Sequence, residues 1–239
     1  AEVRATDFAI TTRDDFSFEP GEMFSQVTAT VDGKLLVLKN ALGRSQVSTI
    51  LAALAVGRQF GLSTEEMLAR VSEIVLEPGR LRAIPGIKGS LIIDDTYNAA
   101  PASMLAALDV LRSFSPREGS RRIAVLGKMA ELGSRSAEEH RLVGLRAAEI
   151  ADLLVTVGEE ARDFRRGAIE GGMDEAHALY VGEALEAGRY LDQEVRKGDI
   201  VLVKGSQSAR MEKVVKDVMA EPLRATDLLV RQYGKWLKT

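Results

Sequence analysis

Cysteine is absent from the 239-residue sequence, and aromatic residues make up only 5% of it. A chain without cysteine forms neither disulfides nor thiolate metal sites. No apolar run approaches the roughly 20 residues needed to cross a bilayer, and the N-terminus lacks the basic-then-apolar pattern of a signal peptide. We therefore expect a cytoplasmic protein that does not engage membranes.

An excess of charge of one sign is also missing, because 32 Lys and Arg stand against 35 Asp and Glu, a net charge of -3. This balance provides no positive field for nucleic acid or an anionic membrane, so we expect no nucleic-acid partner. A hydrophobic content of 46% and a charged content of 28% are typical of a globular protein with one large or two modest domains. They exclude disordered and collagen-like chains.

Several widespread motifs are missing as well. The sequence has no G-x-x-x-x-G-K-[ST], because the lysines that follow a glycine, Lys34, Lys128 and Lys235, precede Leu, Met and Trp. It has no G-x-G-x-x-G and no nucleophile elbow either. His140 and His177 lack a second ligand at metal spacing, so we expect no metal site, and His140 is typical of a surface or capping residue.

The first part of the chain, residues 1 to about 40, predicts β structure in a small sheet, and helices follow. Residues 26–31 and 34–38 are short apolar-rich runs joined by Asp32-Gly33, a strong hairpin signal. Residues 47–60 are apolar around most of a helical circumference, which predicts a buried helix. Ser63 and Glu66 have the spacing of a capping box that opens a further helix to about Val75.

From residue 90 onward the pattern becomes strand, loop and helix in repetition. Runs of continuous apolar character are typical of strands buried on both faces, and they occupy residues 91–94, 123–127, 153–158 and 200–205. A weaker strand is predicted at 178–181, and helices at 102–114, 136–150, 159–171, 183–195 and 209–219. The sequence therefore predicts an α/β protein with an open, mostly parallel, Rossmann-like sheet. The domain boundary is expected near residues 78–89, which are rich in Pro and Gly.

Polar residues follow several of these strands, at the sheet edge where ligands of α/β proteins bind. Asp94, Asp95, Tyr97 and Asn98 leave the first strand, although an isolated acidic pair is more often a turn or cap. The segments 127–133 and 204–208 leave the second and last strands. Each segment also has an interpretation without a binding role: residues 127–133 as a flexible loop, and residues 204–208 as an ordinary helix start.

Two further basic features stand outside the strands. Arg80 lies in the boundary segment and suits a phosphate or carboxylate, although a lone arginine there is usually solvated. Residues 204–239 carry 8 Lys and Arg against 4 Asp and Glu, with Tyr233 and Trp236 near the end. A solvated basic helix explains that stretch as well as a partner would.

Taken together, these segments resemble the Mur ligases of cell-wall synthesis, most closely the D-alanyl-D-alanine-adding (MurF-like) type. The resemblance covers roughly residues 41–220 and rests on the order and spacing of PGRLRAI, SLIIDDTYNAAPASMLAALDVL, IAVLGKMAELG, LLVTVG and DIVLVKGSQSARME. It implies that residues 1–79 are the last part of an ATP-binding central domain without its P-loop. It implies that residues 80–239 are a Rossmann-like C-terminal domain.

The resemblance also implies a reaction. In such ligases, ATP with Mg²⁺ phosphorylates the carboxylate of UDP-MurNAc-tripeptide, and the amine of D-alanyl-D-alanine then attacks the acyl phosphate. Because the P-loop and the UDP-substrate domain are missing and the first residue is Ala, we expect a C-terminal portion that is inactive alone. The alternatives are a stand-alone module that binds a nucleotide or amino acid, and one half of a split ligase whose partner chain supplies the missing domains.

By resemblance, residues at two places carry the binding roles, and no complete catalytic set is expected in the chain. Those expected to hold ATP are Arg80, Asp95, Tyr97 and Asn98. Those expected to face the dipeptide are Lys128, Glu131, Lys204, Gly205 and Ser206. The chain departs from the family at two places: Gln46 and Thr49 replace two Asn, and Lys128 replaces an Asp. The effect of these three replacements on binding stays open.

Overall fold

A computed structural model describes residues 2–19 and 22–238 and divides the chain into two compact units. The first consists of Ala1–Asp15 and Gly21–Glu77, and the second of Phe16–Pro20 and Pro78–Thr239. Each unit has a hydrophobic cluster of its own.

The first unit is a three-stranded antiparallel sheet packed against two helices. Asp32 and Gly33 adopt positive φ angles of 50° and 73°, so the predicted hairpin turn is confirmed. Alternate side chains of the central strand are buried, as expected for a sheet with one face on the core. The strands, in the order β1-β2-β3, and the helices are β1 (Thr6–Thr12), β2 (Ser25–Val31), β3 (Lys34–Lys39), α1 (Arg44–Gln59) and α2 (Thr64–Val71).

The two helices of this unit depart from the sequence prediction. Helix α1 buries Val47, Ile50 and Leu54, whereas Val56 and Phe60 on its other side are exposed, Phe60 by 80%. The predicted buried helix is therefore buried on one face only. The capping box at Ser63 is confirmed. Helix α2 ends at Val71 and not at Val75, because the Val75 side chain is exposed and adds no core packing that would stabilise another helical turn.

The Gln46 and Thr49 side chains interact locally with the start of α1. Oε1 of Gln46 accepts the Leu42 and Gly43 N–H groups at 2.8 and 3.1 Å, and so caps the helix. The Thr49 hydroxyl donates to the Ser45 carbonyl at 3.3 Å. Gln46 therefore has a structural role at this position.

The second unit contains a six-stranded sheet in the order β4-β5-β9-β6-β7-β8, with β4 antiparallel and the other strands parallel. The predicted α/β fold with a mostly parallel sheet is confirmed. The strands are β4 (Arg82–Pro85), β5 (Leu91–Asp95), β6 (Arg122–Gly127), β7 (Leu153–Val157), β8 (Ala178–Val181) and β9 (Ile200–Lys204). The helices are α3 (Pro101–Ser113), α4 (Ser136–Ala148), α5 (Arg162–Glu170), α6 (Ala184–Glu194), α7 (Glu212–Val218) and α8 (Ala225–Leu228).

Strand β9 runs between β5 and β6, and this position brings distant residues together. Lys204 is in register with Asp95 on one side and with Leu126 on the other. The chain segments that follow β5, β6 and β9 therefore leave one edge of the sheet as neighbours. Among residues 2–19 and 22–238, none of the helices has the length and apolar character that crossing a lipid bilayer requires.

Candidate functional site

A buried ion pair joins the ends of β5 and β9. Nζ of Lys204 donates to Oδ2 of Asp95 at 2.6 Å and to the Asn98 carbonyl at 2.9 Å. Lys204 is only 2% exposed. Burial raises the pKa of Asp95, and the nearby Lys204 ammonium opposes that effect. The other carboxylate oxygen of Asp95 accepts the Leu81 N–H at 3.1 Å, so the pair also fixes the boundary segment beside Arg80.

Asp94 has a structural role at the same strand end. Its carboxylate accepts the Gly79 N–H at 3.1 Å, the Thr96 N–H at 3.2 Å and the Thr96 hydroxyl at 2.7 Å. Burial of the side chain raises the pKa of Asp94 to about 6, although these hydrogen bonds act in the opposite direction. The geometry favours the turn interpretation for Asp94, which ties residue 79 to residue 96.

Arg80, Tyr97 and Asn98 are the exposed groups of this edge. The guanidinium carbon of Arg80 lies 4.1 Å from the centroid of the Tyr97 ring, within the range of a cation–π contact. The Tyr97 N–H donates to the Gly79 carbonyl at 3.0 Å, which holds the two segments side by side. Gly79 has a positive φ of 70°, and a Cβ there would lie 3.0 Å from the Tyr97 nitrogen, so glycine is required.

The loops after β6 and β9 touch through their backbones. The Ser206 N–H donates to the Lys128 carbonyl at 2.9 Å. A Cβ on Gly205 would lie 3.1 Å from Cα of Gly127 and 2.6 Å from Cγ of Met211. The glycines at 127 and 205 therefore allow two loops to approach each other.

The side chains predicted to face a dipeptide are divided between the surface and the interior. Lys128 is half-buried and forms an ion pair with Glu160 at 2.9 Å, which lowers the pKa of Glu160, and Glu131 is exposed. Lys204 and Ser206 are buried, and the Ser206 hydroxyl lies 3.3 Å from that of Ser208. We expected these two side chains to face the dipeptide, but both are buried, and Asp95 already neutralises Lys204. Their role in binding stays a prediction.

The buried His140 side chain holds the loop after β6 in place. Its Nε2 accepts the Met129 N–H at 2.9 Å, and its Nδ1 lies 2.7 Å from the Ser136 carbonyl, a pairing that requires the neutral Nδ1–H form. Burial lowers the pKa of His140, and the ring packs against Phe164 at 4.6 Å. The interpretation of His140 as a surface residue was wrong.

A cleft of about 400 Å³ opens next to this loop, at the carboxyl ends of β7 and β8. Charged and small residues line it, among them Lys128, Gly158, Glu160, Gly182, Ser208 and Arg210. Of the residues predicted to face the dipeptide, Lys128 therefore borders both the Ser206 loop and this cleft.

The sequence prediction missed the contribution of the C-terminal segment. Arg231 is buried and donates to the carbonyls of Thr96 and Tyr97, directly after β5. Glu212, also buried, forms ion pairs with Arg210 and Arg231. No local pattern indicates these contacts, because they join residues far apart in the chain. The basic composition of the segment fitted a solvated helix and a partner equally well.

Comparisons with known proteins identify relatives of this chain. The family model described as "Mur ligase, glutamate ligase domain" matches residues 79–207. UDP-N-acetylmuramoyl-tripeptide--D-alanyl-D-alanine ligase of Bacillus subtilis is 30% identical over 184 residues, which cover 76% of this chain and 39% of the relative. The Escherichia coli ligase of the same name is 34% identical over 200 residues, covering 82% and 41%. The chain thus spans about two fifths of the length of these relatives.

Solved structures agree with the sequence matches. The MurF ligase of Thermotoga maritima, crystallised in complex with ADP, aligns with a TM-score of 0.68 and 25% identity, over 90% of this chain and 45% of that one. MurF of Acinetobacter baumannii aligns with a TM-score of 0.70 and 26% identity, over the same shares of the two chains.

Proposed function

The chain belongs to the Mur ligase family, whose glutamate ligase domain model matches more than half of its residues, and we propose that it is the C-terminal portion of a MurF-type ligase. Such an enzyme uses ATP to join D-alanyl-D-alanine to UDP-MurNAc-tripeptide in peptidoglycan synthesis, in the cytoplasm. In this proposal residues 1–79 belong to the central ATP-binding domain and residues 80–239 form the C-terminal domain. The names and coverage of the relatives support it.

The observation that carries the proposal is the Asp95–Lys204 pair beneath the Arg80–Tyr97 stack. Because both members of the pair are buried and satisfied, they act by holding the segments after β5 and before β4 together. Arg80, Tyr97 and Asn98 are left facing outward, and we assign them the contacts with the nucleotide. A guanidinium presents several N–H donors in a plane, a geometry that suits phosphate oxygens.

ATP and Mg²⁺ fit these residues unequally. The exposed guanidinium and phenol are suitable partners for a nucleotide, which in the intact enzyme would supply the phosphoryl group. The carboxylates of Asp94 and Asp95 do not fit a magnesium site, because their oxygens already accept hydrogen bonds from Gly79, Thr96, Leu81 and Lys204. We therefore assign no step to Mg²⁺ on this chain.

The dipeptide subsite is assigned to the adjacent loops. Lys128 and Glu131 lie in the loop after β6, and residues 204–206 contact this loop through the hydrogen bond from Ser206 to Lys128. A dipeptide zwitterion carries one carboxylate and one ammonium, so a loop that offers both a cation and an acid is suitable for it.

A chimera tests the proposed function. This chain replaces the matching segment of the Bacillus subtilis ligase, and the product of UDP-MurNAc-tripeptide, D-alanyl-D-alanine and ATP is measured by mass spectrometry. We expect ligation of D-alanyl-D-alanine, and a loss of about 100-fold in Arg80→Gln. The matched control is Arg112→Gln, an exposed arginine of α3 paired with Asp109, which should keep the activity. A chimera equally active with and without Arg80 would refute the site assignment.

A second candidate function is that of one half of a split ligase. The observation that favours it is the exposed apolar side of α1, which includes Val56 and Phe60. This candidate predicts a 1:1 complex of the chain with a separate polypeptide carrying the remaining Mur ligase domains, and a weaker complex with Phe60→Ser. Sedimentation measures this, and a chain that stays monomeric in the mixture would exclude the split form.

A further inference from the structure

The C-terminal segment, residues 229–236, lies directly against the end of β5. Arg231 is 6% exposed and donates from Nη1 to the Thr96 carbonyl at 3.0 Å and from Nη2 to the Tyr97 carbonyl at 2.5 Å. Val230 lies beside Gly79, since a Cβ added to that glycine would be 3.0 Å from Cγ1 of Val230. The segment therefore touches both stretches of chain that carry the Arg80–Tyr97 stack.

The Arg231 side chain is held in place from its other side. Nη1 lies 3.4 Å from Oε2 of Glu212, a fully buried carboxylate, and Oε1 of Glu212 accepts Nε of Arg210 at 2.6 Å. Nη2 of Arg210 in turn donates to the Trp236 carbonyl at 2.7 Å. This chain of contacts links the start of α7 to the end of the C-terminal segment.

Two features show that the Arg231 position is costly for the fold. Its backbone has a positive φ of 59°, a conformation that is sterically strained in residues that have a Cβ. Its Nε is buried and has no hydrogen-bond partner within the part of the chain that the structure describes. What the position provides is a planar fork whose two Nη groups reach two consecutive carbonyls.

Two guanidinium groups lie near the Tyr97 ring. The carbon of Arg80 is 4.1 Å from its centroid and that of Arg231 is 5.7 Å away. We infer that Arg231 is a positioning residue for the nucleotide site: by binding the carbonyls of residues 96 and 97 it fixes the Tyr97 ring, and the ring fixes the Arg80 guanidinium. This inference rests on the proposed function, in which Arg80 contacts the nucleotide.

The test compares Arg231→Gln and Arg231→Lys in the full chain by two measurements. The first is the NMR shift of the Arg80 side-chain protons, which the Tyr97 ring current moves upfield. The second is the dissociation constant for ATP. Lysine keeps the charge beside Glu212 but cannot donate to both carbonyls in one plane. Arg165→Gln is the matched control, because Arg165 donates to the Ala178 carbonyl and pairs with Glu175 at the far edge of the sheet.

We expect both Arg231 variants to lose most of the upfield shift of Arg80 and to bind ATP about tenfold more weakly, with the control unchanged. If Arg231→Gln fails to fold, Arg231→Lys decides alone. Wild-type values of both quantities in Arg231→Lys would overturn the inference. If the wild-type chain does not bind ATP and yet Arg80 loses its shift in the variants, the assignment of Arg80 to the nucleotide in the proposed function fails, while the control of Arg80 by Arg231 stands.

Discussion

Single residues at the end of β5 make the stability of this protein depend on pH. The pKa of Asp94 is raised from 3.8 to about 6 in the folded chain because the carboxyl group is buried. Between pH 4 and pH 6 the folded state therefore binds more protons than the unfolded state. Linkage requires the contribution of this group to stability to fall as the pH rises through that window.

Asp94→Asn removes this titration. We expect the free energy of unfolding of the wild type, relative to that of the variant, to fall by about 3 kcal/mol from pH 3 to pH 7, since one pKa unit corresponds to about 1.4 kcal/mol. Urea unfolding at several pH values measures it. Asp152→Asn, an exposed carboxylate that also accepts a backbone N–H, is the control and should leave the profile unchanged. Parallel profiles for wild type and Asp94→Asn would contradict the assignment.

The two histidines of the chain provide a second test at this scale. His140→Ala removes the acceptor of the Met129 N–H and leaves a cavity beside Phe164, so we expect a loss of about 3 kcal/mol at pH 7.5. His177→Ala changes an exposed side chain and should stay within about 0.5 kcal/mol of the wild type. Denaturant unfolding distinguishes them, and equal stabilities would show that the His140 contacts contribute little.

The pH dependence of His140 has the opposite sign to that of Asp94. Its pKa is lowered by burial, so the unfolded state binds more protons below about pH 6.5. The stability that neutral His140 contributes is complete above that pH and is lost as the pH falls below it. Acidification should therefore loosen the loop after β6 while Asp94 becomes protonated.

Which residues of the candidate site lie close together could be predicted from sequence only for residues at the ends of neighbouring strands. Asp95, Asn98 and Lys204 meet because the carboxyl ends of adjacent parallel strands share an edge, and their proximity is confirmed. Arg231 lies 135 positions from Thr96 and reaches it through tertiary packing alone. The roles of these residues in binding stay predictions.

At the scale of elements, α4 and α5 are packed backbone to backbone. A Cβ on Gly144 would lie 2.0 Å from the Phe164 carbonyl oxygen, and one on Gly167 would lie 2.0 Å from that of Arg141. These two glycines let the helices approach more closely than any other residue would allow. The sequence prediction placed both helices but could not detect this reciprocal contact.

Gly144→Ala should therefore force the two helices apart. We expect a loss of at least about 2 kcal/mol in the free energy of unfolding, because the obstructing atoms belong to the backbone and cannot rotate away. Gly182→Ala is the control, since its Cβ would meet only Glu186 at 3.7 Å, and it should change stability by less than about 0.5 kcal/mol. Urea midpoints compare the two, and a Gly144→Ala protein as stable as the control would disprove the close packing.

The strands differ in how well sequence predicts them. The parallel strands are continuous apolar runs, so they were predicted. Strand β1 lies in the region predicted as β structure, but it was not placed as a strand, because its side chains are mostly exposed and it pairs with β2 alone. Strand β4 was missed because Pro85 and Gly86 indicate a turn. Helix α7 is shorter than predicted because Arg210 has a left-handed φ of 54° just before it.

At the scale of the whole molecule, the chain has the fold of one part of a larger kind of enzyme. It spans about two fifths of its relatives, and the Mur ligase family model matches residues 79–207, a range that includes β5, β6 and β9. We propose that a nucleotide contacts this edge of the sheet at Arg80, Tyr97 and Asn98, which the buried pair of Asp95 and Lys204 supports.

Titration of the isotope-labelled chain with ATP, followed by backbone amide NMR, tests this claim most directly, because NMR detects even millimolar binding. We expect shift changes concentrated at residues 79–81 and 95–98, and their loss in Arg80→Gln but not in Arg112→Gln. Shift changes confined to another surface, or none at these residues at millimolar ATP, would contradict it.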